Sequence, residues 1–282
     1  MIRYSTLVFS LFLLALPHKV ATAKDQLVIG ITQFPSTFHP NIDSMLAKSY
    51  ILAMTRRPFT VYDVNWKNIC LLCTKLPTIE NGLARNETTL DGKNGVAVTF
   101  TIHPDATWGD GTPVTTKDVI FTWKVGRNKK SGVGNVEFYR SLYKIVAKDD
   151  KTFTLHFDKL TFEYNSIGGF ELLPAHLDEK NFADPLTYKN RTAFDTDTTN
   201  PGLYFGPFRI DEAIAGLHDM SEQVSLERVD SKDNTSDVLT KPMPLNCWVS
   251  RSVIQRIDST SPKRPKSACS TGSPSCSGTL AT

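Results

Sequence analysis

Residues Trp108–Trp123 read WGDGTPVTTKDVIFTW, a turn, a helix start and two tryptophans within one short stretch. Asp110-Gly111 marks the turn, because glycine takes the positive φ that a tight reversal needs. Thr115 and Asp118 stand three apart, the spacing of a capping box: the Thr hydroxyl can accept from the backbone N–H of residue 118 while the Asp carboxylate reaches back to the N–H of residue 115. Val114 and Val119 occupy the positions of a hydrophobic staple around that cap. Val119, Ile120 and Trp123 then give the helix an apolar face. Losing such a cap costs about 1 kcal/mol.

The stretch also resembles the W-S-D-G-x-P-V-T-A-x-D-V-x-F-T-W block of the extracellular solute-binding proteins of family 5, the oligopeptide-, dipeptide- and nickel-binding receptors of bacterial ABC importers. Gly109 stands where Ser is frequent and Thr116 where Ala is frequent, and neither change disturbs the turn or the cap. Other stretches resemble the family in the same order. Gln26–Ile31 (QLVIGI) reads as a buried first strand followed by the turn-rich FPSTFHPN, and residues 59–79 read as extended chain ending in LPTIENG. ELLPAHL (171–177) resembles an LP-x-H corner, and NPGLYFGPFRI (200–210) a G-x-G-P-[YF]-x-[LI] element. The resemblance implies a mixed α/β (α+β) fold, one lobe of the type II periplasmic-binding-protein kind. That lobe spans residues 24–214, with a smaller subdomain at about 60–165.

Periodicity adds detail. Leu46, Tyr50 and Met54 lie at helical spacing within Ser44–Arg56, with Asp43 or Ser44 as cap and Pro58 as terminator. Val96, Val98, Phe100 and Ile102 alternate with Ala97, Thr99, Thr101 and His103, as in a half-buried strand. Lys144–Ala147 and Phe153–Phe157 flank Lys148-Asp149-Asp150-Lys151 and read as a β-hairpin.

The first 23 residues read as a cleaved signal peptide: Arg3, an apolar run at Leu7–Leu16, and Ala21-Thr22-Ala23 as the cleavage site. The expected location is therefore the periplasm. A net charge of +3 over 282 residues, with 22% charged residues and no basic stripe, points away from nucleic acid. The chain changes character after Ile214, beyond which Trp248 is the one aromatic residue among segments rich in Ser, Thr and Pro. Few large apolar groups cannot offset the entropy of ordering. Residues 215–282 are expected to form a disordered or frameshifted tail on a lobe that is incomplete.

Chemistry-bearing motifs are few. Cys70-Leu71-Leu72-Cys73 has the spacing of a redox pair or half a zinc site, but no second half accompanies it, and structural or incidental cysteines are the plainer reading. There is no G-x-S-x-G elbow, phosphate loop or calcium loop, so no catalytic residue, metal or cofactor is assigned. What remains is binding. The family resemblance implies a peptide or small-solute ligand, an inner-membrane ABC permease as partner, and a monomer. By position, Thr32, Gln33, Phe34 and Phe38 in the loop after the first strand face the cleft, although Phe34 or Phe38 packed into the core is an equal reading. The competing functional readings are a fragment that binds nothing and a periplasmic enzyme built on the same shell.

Overall fold

The computed structural model describes residues 26–214 and 222–229; the expected signal peptide lies outside the described residues. In chain order the elements are β1 (Gln26–Ile31), α1 (Leu46–Thr55), β2 (Thr60–Tyr62), β3 (Asn68–Cys70), β4 (Ala84–Thr88), β5 (Asn94–Thr101), α2 (Thr116–Arg127) and α3 (Val136–Ser141). There follow β6 (Leu142–Ala147), β7 (Thr152–Phe157), α4 (Ala175–Asp178), α5 (Ala193–Thr196), β8 (Phe208–Ile214) and β9 (Glu222–Arg228). The strands form a three-stranded sheet ordered β1-β9-β8, a β2-β3 hairpin, and a four-stranded sheet ordered β4-β5-β7-β6. Every pairing between these strands is antiparallel, so the fold is mixed α/β of the α+β kind.

Alternation along β5 sets the inner face of the larger sheet. Val96, Val98 and Phe100 are fully buried and stand opposite Phe157, Leu155 and Phe153 of β7. Phe153 stacks on Phe100 at 5.9 Å, and Phe59 meets both rings edge-on or tilted at 5.4 and 6.0 Å. Such ring pairs each add about 1 kcal/mol beyond the area they bury. The outer face carries Thr99 against Thr154, with hydroxyls 2.9 Å apart. The β6–β7 hairpin forms as its sequence reads, around Asp149, whose carboxylate accepts from the backbone of Lys151 (2.8 Å) and Thr152 (2.7 Å).

Three expectations are corrected. β1 is half-buried rather than buried: Leu27, Ile29 and Ile31 pack on the core while Val28 is exposed, because only one face of this antiparallel sheet is covered. α1 buries Lys48, Ile51 and Thr55 instead of the stripe through Leu46, which is 65% exposed; Asp43 adopts positive φ outside the helix, and Met45, without a side-chain cap, precedes it. The stretch expected to be a tail from residue 215 contains a strand. Glu222–Arg228 pairs with both β1 and β8, and Val224 and Leu226 are fully buried. Aliphatic alternation carries this strand, which a loss of aromatic residues does not register. The remainder of the expected tail lies outside the described residues.

Cys70 and Cys73 are joined by a disulfide. It closes the end of β3 onto the stretch where Cys73 bridges Ile102 beyond β5. A ring of so few residues removes only about 2 kcal/mol of chain entropy from the unfolded state. Its role is local, holding the β2-β3 hairpin against the larger sheet.

The opening block organises the lower half of the fold. Gly111, at φ +85°, turns the chain so that the Trp108 N–H bonds the Thr112 carbonyl at 2.7 Å. The capping box forms, with the Thr115 N–H donating to Asp118 Oδ2 at 2.8 Å. Val114 and Val119 are both buried. Helix α2 buries Val119, Thr122, Val125 and Gly126, while Ile120 and Trp123 sit at the margin of that face. Asp118 does more than cap. Its Oδ2 also lies 3.4 Å from the Trp108 indole N–H, and its Oδ1 accepts the Ala175 N–H at 2.9 Å, tying in the corner at 171–177. Burial pushes this carboxyl up, against the pull of those donors.

Replacing Asp118 with Ala orphans three donors in a buried site, a loss of about 3 kcal/mol in urea unfolding at neutral pH. Thr115→Ala removes one cap bond and costs about 1 kcal/mol. Equal losses for the two variants would show that Asp118 acts as a cap alone.

Candidate functional site

The loop that leaves β1 at Ile31 is built by buried polar groups. Thr32 and Gln33 are exposed, Phe34 is half-buried, and Pro35 is buried. Phe38 is the packed alternative of the two read from sequence: it is 4% exposed and meets Phe34 edge-on at 5.9 Å. A ring so enclosed offers a ligand no surface, and its part is to hold Phe34 in place. Thr37 Oγ1 accepts the His39 N–H at 2.9 Å, and His39 Nδ1 accepts the Asn41 N–H at 3.2 Å.

That second bond decides the tautomer. With Nδ1 accepting, the proton is on Nε2, which donates to the Tyr188 hydroxyl at 3.1 Å. Tyr188 in turn donates to Asp178 Oδ2, and Asp178 Oδ1 accepts the Ala193 N–H at 2.8 Å. The series His39–Tyr188–Asp178 has the residue types of a proton relay, yet all three side chains are fully buried. It works as a brace between the loop and the segment around α5. Burial, with Lys48 and Arg56 nearby, holds His39 well below its usual pKa, so the ring is neutral.

Lys48 closes the loop from below. Its ammonium donates to the carbonyls of His39 (3.0 Å), Ile42 and Asp43 (2.6 Å). Burial lowers its pKa to about 8 against the opposing pull of Asp43, which leaves it charged at neutral pH.

The end of the loop rests on a polar cluster. Asn41 Nδ2 donates to the Glu171 carbonyl at 2.9 Å, and the Tyr139 hydroxyl donates to Asn41 Oδ1 at 3.1 Å. Arg56 pairs with the Glu171 carboxylate, whose side chain keeps 34% of its surface exposed. Arg56 Nε is buried with no partner among the described residues. Gly126 in α2 is explained here: a Cβ at that position would collide with the Tyr139 ring, and Tyr139 could no longer reach Asn41. Neither Asn41, Tyr139 nor Glu171 carries a motif that marks it, and Lys48 has none of the apolar character that marks a buried helix position. Among the described residues no group of three or more His, Cys, Asp or Glu is placed to hold a metal ion. The arrangement presents an exposed backbone corner at Thr32-Gln33 beside the outer edge of β1, with the Glu171 carboxylate held near the loop's far end.

Comparison with known proteins fits this picture. Residues 78–236 match the model of the bacterial extracellular solute-binding proteins, family 5. The chain belongs to that family. It is similar to the oligopeptide-binding protein of Thermus thermophilus solved with a pentapeptide, at 26% identity and a TM-score of 0.61 over 74% of this chain. The oligopeptide-binding protein AppA of Bacillus subtilis, solved with a nonapeptide, shares the fold at 18% identity and a TM-score of 0.52 over 73% of this chain. Among curated proteins, the uncharacterized protein y4wM of Sinorhizobium fredii is 33% identical over 120 residues, 40% of this chain. A putative binding protein of Brucella melitensis is 32% identical over 119 residues, 39% of this chain. The chain covers 37% of the Thermus protein, and the aligned stretch makes up 17% of each of the two curated relatives.

The neutral, buried His39 makes stability depend on pH. The unfolded chain takes up a proton near the ordinary histidine value of 6.5 while the folded ring does not, so stability falls as pH drops below that point. The slope approaches about 1.4 kcal/mol per pH unit. Urea unfolding between about pH 7.5 and about pH 5.5 is expected to show a fall about 1 kcal/mol larger in the native protein than in His39→Gln. Equal falls would mean that His39 is protonated within the fold.

Lys48→Met is expected to cost about 3 kcal/mol, since two buried carbonyls and one part-buried carbonyl lose their donor.

Proposed function

We propose that this chain serves the substrate-binding component of an ABC importer, capturing a peptide or a similar small solute outside the cytoplasmic membrane. The observation that carries the reading is family membership together with the likeness to a pentapeptide-bound receptor. The geometry is compatible with it. β1 is an end strand among the described residues, and Thr32 and Gln33 continue from its tip as exposed chain. A peptide held in extended form gains affinity from backbone hydrogen bonds at such an edge, with loose demands on its side chains. Thr32, Gln33 and Phe34 are the proposed contacts, Phe38 their support. The proposal includes export through the N-terminal signal, a periplasmic monomer that docks on an inner-membrane permease, and a smaller subdomain at about 60–165 built around the four-stranded sheet. Binding rather than catalysis is the proposed activity, because the buried His39–Tyr188–Asp178 series is closed to a substrate.

Calorimetric titration of the full chain with tri- to pentapeptides tests this. Saturable binding is expected; Thr32→Ala and Gln33→Ala keep the backbone groups and should weaken it by less than about threefold, whereas Gln33→Pro, which removes a backbone N–H, should weaken it about fivefold to tenfold, a loss of about one hydrogen bond. Phe38→Ala should instead destabilise the fold by about 3 kcal/mol. No saturable heat with any peptide would favour a chain that captures nothing by itself, and hydrolysis of a peptide would overturn the non-enzymatic reading.

A further inference from the structure

Three neighbouring turns carry large apolar side chains that the described residues leave in solvent. Trp66, 84% exposed, stands with the exposed Val64 at the tip of the β2-β3 hairpin. Leu90 is fully exposed in the turn between β4 and β5, and Phe162, 98% exposed, follows Leu160 in the segment that leaves β7. Single apolar residues in solvent are ordinary on a protein surface. These lie together. The start of β5 runs beside the end of β7, and the Leu160 N–H donates to the Asn94 carbonyl at 3.0 Å, which joins the second turn to the third. The Tyr62 hydroxyl donates to Glu163 Oε1 at 3.1 Å, and Asn68 Nδ2 donates to the Asn165 carbonyl at 3.3 Å, which brings the hairpin alongside.

The backbone at these tips suits an apolar medium. Trp66 sits at φ +60°, a region that bulky residues avoid, and its indole stands in solvent with little packing to offset that strain. The N–H of Trp66 donates to the Asp63 carbonyl at 3.0 Å, and those of Asn65 and Lys67 donate to Asp63 Oδ1 at 2.8 and 2.9 Å. In the second turn the Gly92 N–H donates to the Thr89 carbonyl and the Lys93 N–H to Thr89 Oγ1. Amides already bonded within the turn lose little when water is withdrawn.

Each turn also carries both signs of charge: Lys67 with Asp63, Lys93 with Asp91 at 3.9 Å, and Lys159 with Asp158 and Glu163. Such a rim complements headgroups that hold a phosphate and an ammonium, whereas a purely basic rim would complement anionic lipid. Side chains exposed almost completely stand clear of one another, so they form separate points rather than a flat patch. A folded partner would need a pocket for each point, while a fluid bilayer surface closes round all of them.

We propose that these three turns dock the chain on a zwitterionic phospholipid surface, with Trp66, Leu90 and Phe162 inserted and the mixed charges among the headgroups. Tryptophan is favoured at that depth, and lysine stems reach from it to water. The proposal goes beyond peptide capture at the β1 loop and does not rest on it.

The test is co-sedimentation of the full chain with phosphatidylcholine vesicles, without peptide. Binding is expected, changed no more than about twofold when part of the lipid is replaced by phosphatidylglycerol or when salt is raised. Trp66→Gly and Phe162→Ser should each weaken it about tenfold, since each removes one inserted ring. Both variants should keep the native urea midpoint, because the side chains are exposed and glycine accepts the left-handed backbone at position 66. The emission of Trp66, taken as the difference between the native chain and Trp66→Gly, should shift to the blue on adding vesicles. The proposal is overturned if phosphatidylcholine vesicles do not bind the chain, if binding appears only with phosphatidylglycerol, if the Trp66 emission is unchanged, or if both variants sediment as the native chain does. Self-association of the native chain that Trp66→Gly abolishes would overturn it in favour of a second copy as the occupant. None of these outcomes alters the peptide titration that tests the proposed function.

Discussion

One buried carboxylate holds the lower half of this fold together. Asp118 closes the cap of α2, receives the indole N–H of Trp108 from the turn before it, and receives the Ala175 N–H from the corner that comes back to it. A carboxylate is acceptor-only when ionised and offers several lone pairs, so it can gather donors that approach from different segments. The cost of burying its charge is offset only while all three donors stay in place. Turn, helix and returning corner are therefore positioned by one residue.

The loop after β1 follows the same logic with the opposite charge. Lys48 supplies a buried cation to three carbonyls, and His39, Tyr188 and Asp178 pass hydrogen bonds to the segment around α5. A loop with so many polar groups could not be buried unless each group found a partner. Thr32 and Gln33 therefore project from a hydrogen-bonded base, which in the proposed function would leave little ordering entropy to oppose binding there.

The local elements were legible because their signals are short-range. The Thr115–Asp118 box, the turn at Gly111, the alternation in β5 and the β6–β7 hairpin are each specified within about ten residues, where backbone geometry and neighbouring side chains decide. The errors came where partners are distant. The stripe through Leu46 and Met54 has helical spacing, but a helix face is buried by what packs on it, and Lys48 displaced that stripe because carbonyls from residues 39–43 needed a donor. β9 escaped notice because its two buried aliphatic residues, Val224 and Leu226, gain meaning only from β1 and β8 on either side. Of the candidate loop, the turn-rich run after β1 was legible as irregular chain, while the choice between Phe34 and Phe38 was not.

The sequence by itself determined the family, the α+β class, the capped helix and the hairpin. All of these rest on motifs whose residues are close in the chain. Tertiary structure alone decided that Phe38 is core and Thr32 is surface, that Asp118 serves three segments, and that Tyr139 reaches Asn41 across the space Gly126 leaves open. The physical reason is the same in each case. Burial and hydrogen-bond satisfaction are properties of groups brought together from far apart in the chain, and no local pattern records which of them will meet.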